Sequence, residues 1–317
     1  MTDPKKPLDP RRIRTVPLQK RDSKVDEKLF ARPLKPGMTV AGLLDSLPDI
    51  LAARDRKEIA AAIAAARKAG RPVILGMGAH VIKVGLSPLL IDLMERKLIT
   101  GLALNGAGAV HDFELAFAGR TSEDVGPALD AGMFGMAAET GEFLNRTMAR
   151  CGSEDIGLGR AVGEAILAAG LPHQHLSLFA AAARLDVPVT VHVAIGGDII
   201  HMHPLADGAA IGRGSHRDFL IFAGMVSELE GGVYINLGSA VVLPEVFLKA
   251  LALARNLGHQ VDRFTTVNMD FIQHYRPGAN VVERPTRTGG RGYRLTGHHE
   301  IMFPLLMAAV LEEMSSE

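Results

Sequence analysis

"GGVYINLGSAVVLPEVFLKALALARN" (residues 231–256) reads as a buried strand, a glycine corner and an amphipathic helix. The strand portion is largely apolar on both alternating sets of positions, as a strand covered on both sides must be. In the helix, Val246, Phe247, Ala250 and Leu251 share one side, while Glu245, Lys249 and Asn256 share another. The same grammar recurs along the chain. "PVILGMGAH" (72–80) leads into "LSPLLIDLMERKL", "TGLALNGAGAVH" (100–111) into "DFELAFAG", and "VPVTVHVAIGGD" (187–198) into "IIHMHP". "RFTTVNMD" (263–270) is a further strand, and "HHEIMFPLLMAAVLEEM" (298–314) the closing helix. Strand, glycine turn and helix in repetition predict an α/β fold, a parallel sheet with helices on its faces. Ligands of such sheets bind beyond the carboxyl ends of the strands, where these glycine corners lie. Glycine lets a phosphate approach the backbone, and a following helix N-terminus favours an anion. Four such corners predict a cofactor-sized site.

Outside this core the sequence is less patterned. Residues 1–37 are rich in proline and charge and read as an extended arm; residues 38–317 read as a single α/β domain. A helical pair, 39–52 and 55–70, opens that domain, and 137–186 reads as a helical, loop-rich insertion. The chain has 317 residues, 47% hydrophobic, which suffices for one large core. Thirty-five basic residues balance thirty-five acidic ones, so no global field invites nucleic acid or an anionic membrane. No apolar run approaches the roughly 20 residues of a membrane span. One cysteine, Cys151, excludes an internal disulfide and fits a reducing cytoplasm.

Three polar groupings carry candidate chemistry. "NGAGAVHDFE" sets Asn105, His111, Asp112 and Glu114 around a strand end, where a histidine beside a carboxylate suits proton transfer; acids in a first helical turn are also simply favoured by the macrodipole. "IGGDIIHMHP" spaces Asp198, His201 and His203 so that they either bind a metal or leave Asp198 to hold a cationic substrate. "RPTRTGGRGYRL" (284–295) reads as an arginine-rich loop, over phosphates or in solvent, before His298, His299 and Glu300.

Several stretches together resemble the deoxyhypusine synthases. "MTVAGLLDSL" (38–47) is similar to the start of archaeal-type members, and "LNGAGAVHDFELAFAG" (104–119) to their Thr-Ala-Gly-Gly strand–turn–helix. "GGDIIHMHP" (196–204), "LGSAVVLPEVFLKA" (237–250), "VNMDFIQHYRPGA" (267–279) and "HHEIMFPLLMAAVLEE" follow in the family's order over about residues 38–315. The resemblance implies a doubly wound, Rossmann-like parallel sheet with helices on both faces, binding NAD at its carboxyl edge. It also implies a cytoplasmic homotetramer whose N-terminal arm reaches a partner's site, and a polyamine or other small amine as substrate. It places Gly78, Asn105, Gly106, Ala107 and Gly108 against the dinucleotide, with Gly238, Ser239, Ala240 and Asn268. Asp198 matches an active-site aspartate, and His111 or Asp112 matches an acidic pair.

One family residue is missing. These enzymes carry an imine-forming lysine between the Asn-Thr-Ala strand and the final helix, and residues 271–300 contain none. Arginine cannot substitute, because it offers no free amine. Lys249, the only lysine after Lys97, lies on the polar side of its helix. Lys83 is the other lysine near a strand end and the one candidate replacement. The sequence thus predicts a nucleotide rim without an amine positioned to trap substrate. Amine dehydrogenation or aminoalkyl transfer, a non-catalytic NAD-binding paralogue, and a metal-assisted hydrolase using His201 and His203 are the functions it leaves open.

Overall fold

The computed structural model describes residues 7–315. Two compact units divide at residue 50. The first holds three short 3-10 turns, Pro10–Arg12, Leu18–Lys20 and Glu27–Leu29, and the helix Val40–Ser46, capped by Thr39. Pro48 follows this helix, and the next begins at Leu51, so the helix expected over 39–52 is split. Residues 1–6 of the expected arm lie outside the described residues.

The second unit is a six-stranded sheet: β1 Val73–Met77, β2 Gly101–Asn105, β3 Val189–His192, β4 Val233–Leu237, β5 Thr265–Asp270 and β6 Arg291–Thr296. Its order is β3-β2-β1-β4-β5-β6, with every neighbouring pair parallel. This is the doubly wound Rossmann-like arrangement, in which the winding reverses between β1 and β4. Strands β1, β2 and β4 are buried along nearly their whole length, as the apolar runs require.

Ile74, Ala103 and Tyr234 pack into one cluster with Phe222, Val226, Phe247 and Leu251 of the helices Gly208–Ser227 and Val242–Asn256. The helix Leu51–Lys68 packs on β1, β4, β5 and β6 and against the final helix His299–Ser315. Strand β6 lies where the sequence reading placed an arginine-rich loop. Arg294 lies on the strand's exposed face, paired to Glu283, and Arg291 is exposed at its first position, paired to Glu58. Those arginines are therefore held by carboxylates of the chain itself.

Candidate functional site

The strand ends build two adjoining features. One is the crevice at the β1/β4 reversal. Gly78 N–H donates to Leu237 O at 3.0 Å, and a Cβ on Gly78 would collide with the Gly238 carbonyl oxygen. Gly238, at φ +67, has the His299 ring against it. His299 is 1% exposed; its Nε2 lies 3.5 Å from Asp270 Oδ1, and neither ring nitrogen has a hydrogen-bond partner among the described residues. His80, the first residue of the short helix His80–Lys83, meets His299 edge-on at 5.6 Å between ring centroids. The half-exposed Phe271 meets both rings.

Of the other residues expected at this crevice, Ser239 is a cap: its hydroxyl oxygen accepts from Leu243 N–H at 3.1 Å. Ala240 is half-buried beside it. Asn268 is not on the rim. It is fully buried in β5, accepts from Asn236 Nδ2 at 2.7 Å and donates to Gln273 Oε1 at 2.8 Å. These bonds lock the ends of β4 and β5 together and consume the side chain.

The second feature is a cleft of ≈ 240 Å³ over the ends of β1, β2 and β3, lined by Lys83, Ala107, His111, Glu114, Glu123 and Asp198 among others. Asp198 ends the loop after β3, and its side chain is 8% exposed. Its carboxylate sits so close to Gly106 that any Cβ there would collide with it, and it accepts the Ala107 backbone N–H. Burial pushes its carboxyl up, against the pull of His201 and that hydrogen bond. Oδ2 has no hydrogen-bond partner among the described residues.

His111 rises from the helix Gly106–Ala118 with Nδ1 2.6 Å from Thr121 Oγ1. Thr121 donates in turn to Glu114, which also accepts from Thr140 at 3.2 Å. Burial depresses the His111 imidazole, opposed by Glu114 and reinforced by Lys83. A neutral histidine oriented through a hydroxyl beside a carboxylate is equipped to accept a proton.

The structure corrects three expectations. The corner at 105–108 is filled from within rather than left for phosphate: Asn105 caps Gly108 N–H, Asp198 takes Ala107 N–H, and Gly108 abuts Leu104. Asp112 points away from the cleft; it is fully buried and accepts from the Ser177 hydroxyl and from Leu178 N–H at 2.6 Å, which anchors the helix Leu178–Leu185. The rim is not free of amines, because Lys83 lines the cleft. Lys249, by contrast, is on its helix's solvated side, paired with Glu245.

The metal reading finds no geometric support. The His203 ring packs against Gly141 while its Nδ1 accepts from Leu205 N–H, and His201 Nδ1 accepts from Gly196 N–H at 3.1 Å. No cluster of three or more ligating side chains forms among the described residues. Sequence reasoning missed the Asp270–His299–Phe271 group and Glu123. Their ring contacts and shared wall arise only when separate segments meet.

No family model and no curated protein matches the sequence. Solved structures do share the fold. An Entamoeba histolytica chain assigned as a deoxyhypusine synthase has a TM-score of 0.52 at 13% identity, over 87% of this chain and 94% of that one. A Methanococcus maripaludis chain assigned as a LOR/SDH protein gives 0.51 at 16%, over 93% and 74%. AgrE in ternary complex with ornithine and NAD+ gives 0.52 at 16%, over 83% and 34%. The chain spans about a third of the length of AgrE and of the cyanobacterial arginine dihydrolase ArgZ. The class is thereby defined: a deoxyhypusine synthase-like, doubly wound Rossmann-like fold.

Proposed function

We propose that this protein binds NAD in the crevice between β1 and β4 and oxidises a small amine in the adjoining cleft. The observation that carries this reading is the juxtaposition of a winding reversal with a separate pocket. The cleft sets the Asp198 carboxylate and the His111 imidazole in one lining, an anion and a base for a small amine. We place the dinucleotide at the strand reversal, across Gly78, Ala79 and Gly238. AgrE, of which this chain covers 34%, is solved with ornithine and NAD+, which supports a dinucleotide as the ligand class.

When bound, NAD supplies the hydride acceptor; the chain supplies position and proton control. Asp198, whose Oδ2 has no hydrogen bond among the described residues and lies 4.0 Å from His201 Nε2, holds the substrate ammonium. Neutral His111 accepts the amine proton, so that the nitrogen lone pair can form the C=N bond as hydride leaves the adjacent carbon. Thr121 and Glu114 orient the imidazole and stabilise it once protonated. This oxidation needs no covalent lysine.

Calorimetry with the full-length protein should show NAD binding at up to millimolar concentration, and an amine panel should produce NADH. Asp198→Ala should abolish turnover while retaining NAD. An absence of NAD binding removes the reading, and NAD bound without turnover reduces the protein to a non-catalytic dinucleotide binder.

A further inference from the structure

We propose that Lys83 is an ionic anchor for a carboxylate, so that the amine accepted by this cleft carries an acid group and is an amino acid rather than a polyamine. The inference rests on the small-amine reading above. It follows from which charged groups of the cleft are already hydrogen-bonded. Glu114 accepts from Thr121 and Thr140, and Glu123 accepts from Gly135 N–H at 2.9 Å. His111 is held by Thr121. Neutral donors hold Glu114 and Glu123 in place without cancelling their charge. Asp198 Oδ2 has no hydrogen bond and lies 4.0 Å from His201 Nε2, and Lys83, exposed, makes no hydrogen bond or ion pair among the described residues.

Although Asp198 and Lys83 line one cleft, these two do not form an ion pair with each other. A molecule bearing an ammonium and a carboxylate bridges them and satisfies both. A polyamine, cationic at each end, would satisfy Asp198 and place its other charge in the field of Lys83. Lys83 is also exposed, unlike the desolvated lysines that form imines, and this favours ionic contact over covalent attachment. Its position completes the case. It closes the four-residue helix that begins with His80, and its charge is felt by His80 on the crevice side and His111 in the cleft. A carboxylate held there lies on the wall nearest the crevice, and the amine end is left for Asp198.

The test pairs each amino acid with its decarboxylated amine: L-ornithine against 1,4-diaminobutane and L-lysine against 1,5-diaminopentane, with NADH formation as readout and NAD binding measured separately. The wild-type protein should prefer the amino acid, and Lys83→Ala should erase that preference through KM by roughly 10- to 100-fold with kcat little changed. Lys83→Arg should restore most of it. Preference for the diamines overturns the inference and leaves the amine reading standing. So does a Lys83→Ala variant that loses NAD affinity instead, which would make Lys83 a phosphate contact, or a borohydride-trapped adduct on Lys83, which would make it covalent. No turnover and no binding of any of the four compounds removes the amine reading and this inference together.

Discussion

His111 and Asp198 share one cleft, and burial moves each toward its neutral form: the imidazole downward, the carboxyl upward. The imidazole therefore stays unprotonated below its ordinary value of about 6.5. Where His111 governs it, the acid limb of amine-dependent kcat/KM should lie at lower pH than the one an ordinary imidazole would impose. His111→Gln should lower activity and flatten this acid limb where His111 governs it.

Two further carboxyls, Asp112 and Asp218, the latter buried on the helix Gly208–Ser227 and accepting from Gly159 N–H and Val191 N–H, are pushed up to about 7 by burial and act on stability instead. Their folded values exceed the unfolded value of about 3.9, so the folded state holds those protons more tightly. Their contribution is complete below pH 4 and is lost as pH rises through 7. Urea midpoints should thus fall between pH 5 and pH 8, and the fall should shrink in an Asp112→Asn/Asp218→Asn double variant. Asp112→Ala should cost about 2–3 kcal/mol by leaving Ser177 and the Leu178 N–H without their acceptor.

Among the elements, β4 carries Tyr234, fully buried, stacked on Phe247 at 3.9 Å and with its hydroxyl over Gly76, unpaired among the described residues. A buried hydroxyl without a partner is a net cost, so Tyr234→Phe should raise stability by about 1 kcal/mol in thermal or urea unfolding. Strands of this kind were legible in the sequence because doubly buried runs are apolar throughout and end in glycine. Strand β6 was not, since Arg291, Gly292 and Arg294 look like loop chemistry until Glu58 and Glu283 arrive from elsewhere in the chain. The glycines at 106 and 108 were readable as a close approach, but not the identity of what approaches: a carboxylate of the protein and a leucine. His111, Asp198 and Lys83 were identifiable as candidates. That Asp112, next to His111, faces another side follows from the roughly 100° step between helical neighbours, and the choice of side is settled by Ser177, sixty-five residues away.

At the scale of the molecule, no described helix is long and apolar enough to cross a membrane. The first unit leaves Ile13, Val16, Leu18, Phe30 and Leu34 largely exposed, an apolar series that contact with another copy would cover. Removal of residues 1–37, which carry this series, should weaken any self-association that light scattering reports.

Strand β1 pairs with β2 on one side and with β4 on the other, Val73 lying opposite Val233. On a ribosome adding about 5–20 residues per second, β4 emerges on the order of ten seconds or more after β1. During that interval the middle of the future sheet is an open, fully apolar margin able to pair with any nascent neighbour. Production should therefore be limited by what shields this margin during translation: slower synthesis or added chaperone should raise the yield of native protein, and faster synthesis should drive it into inclusion bodies.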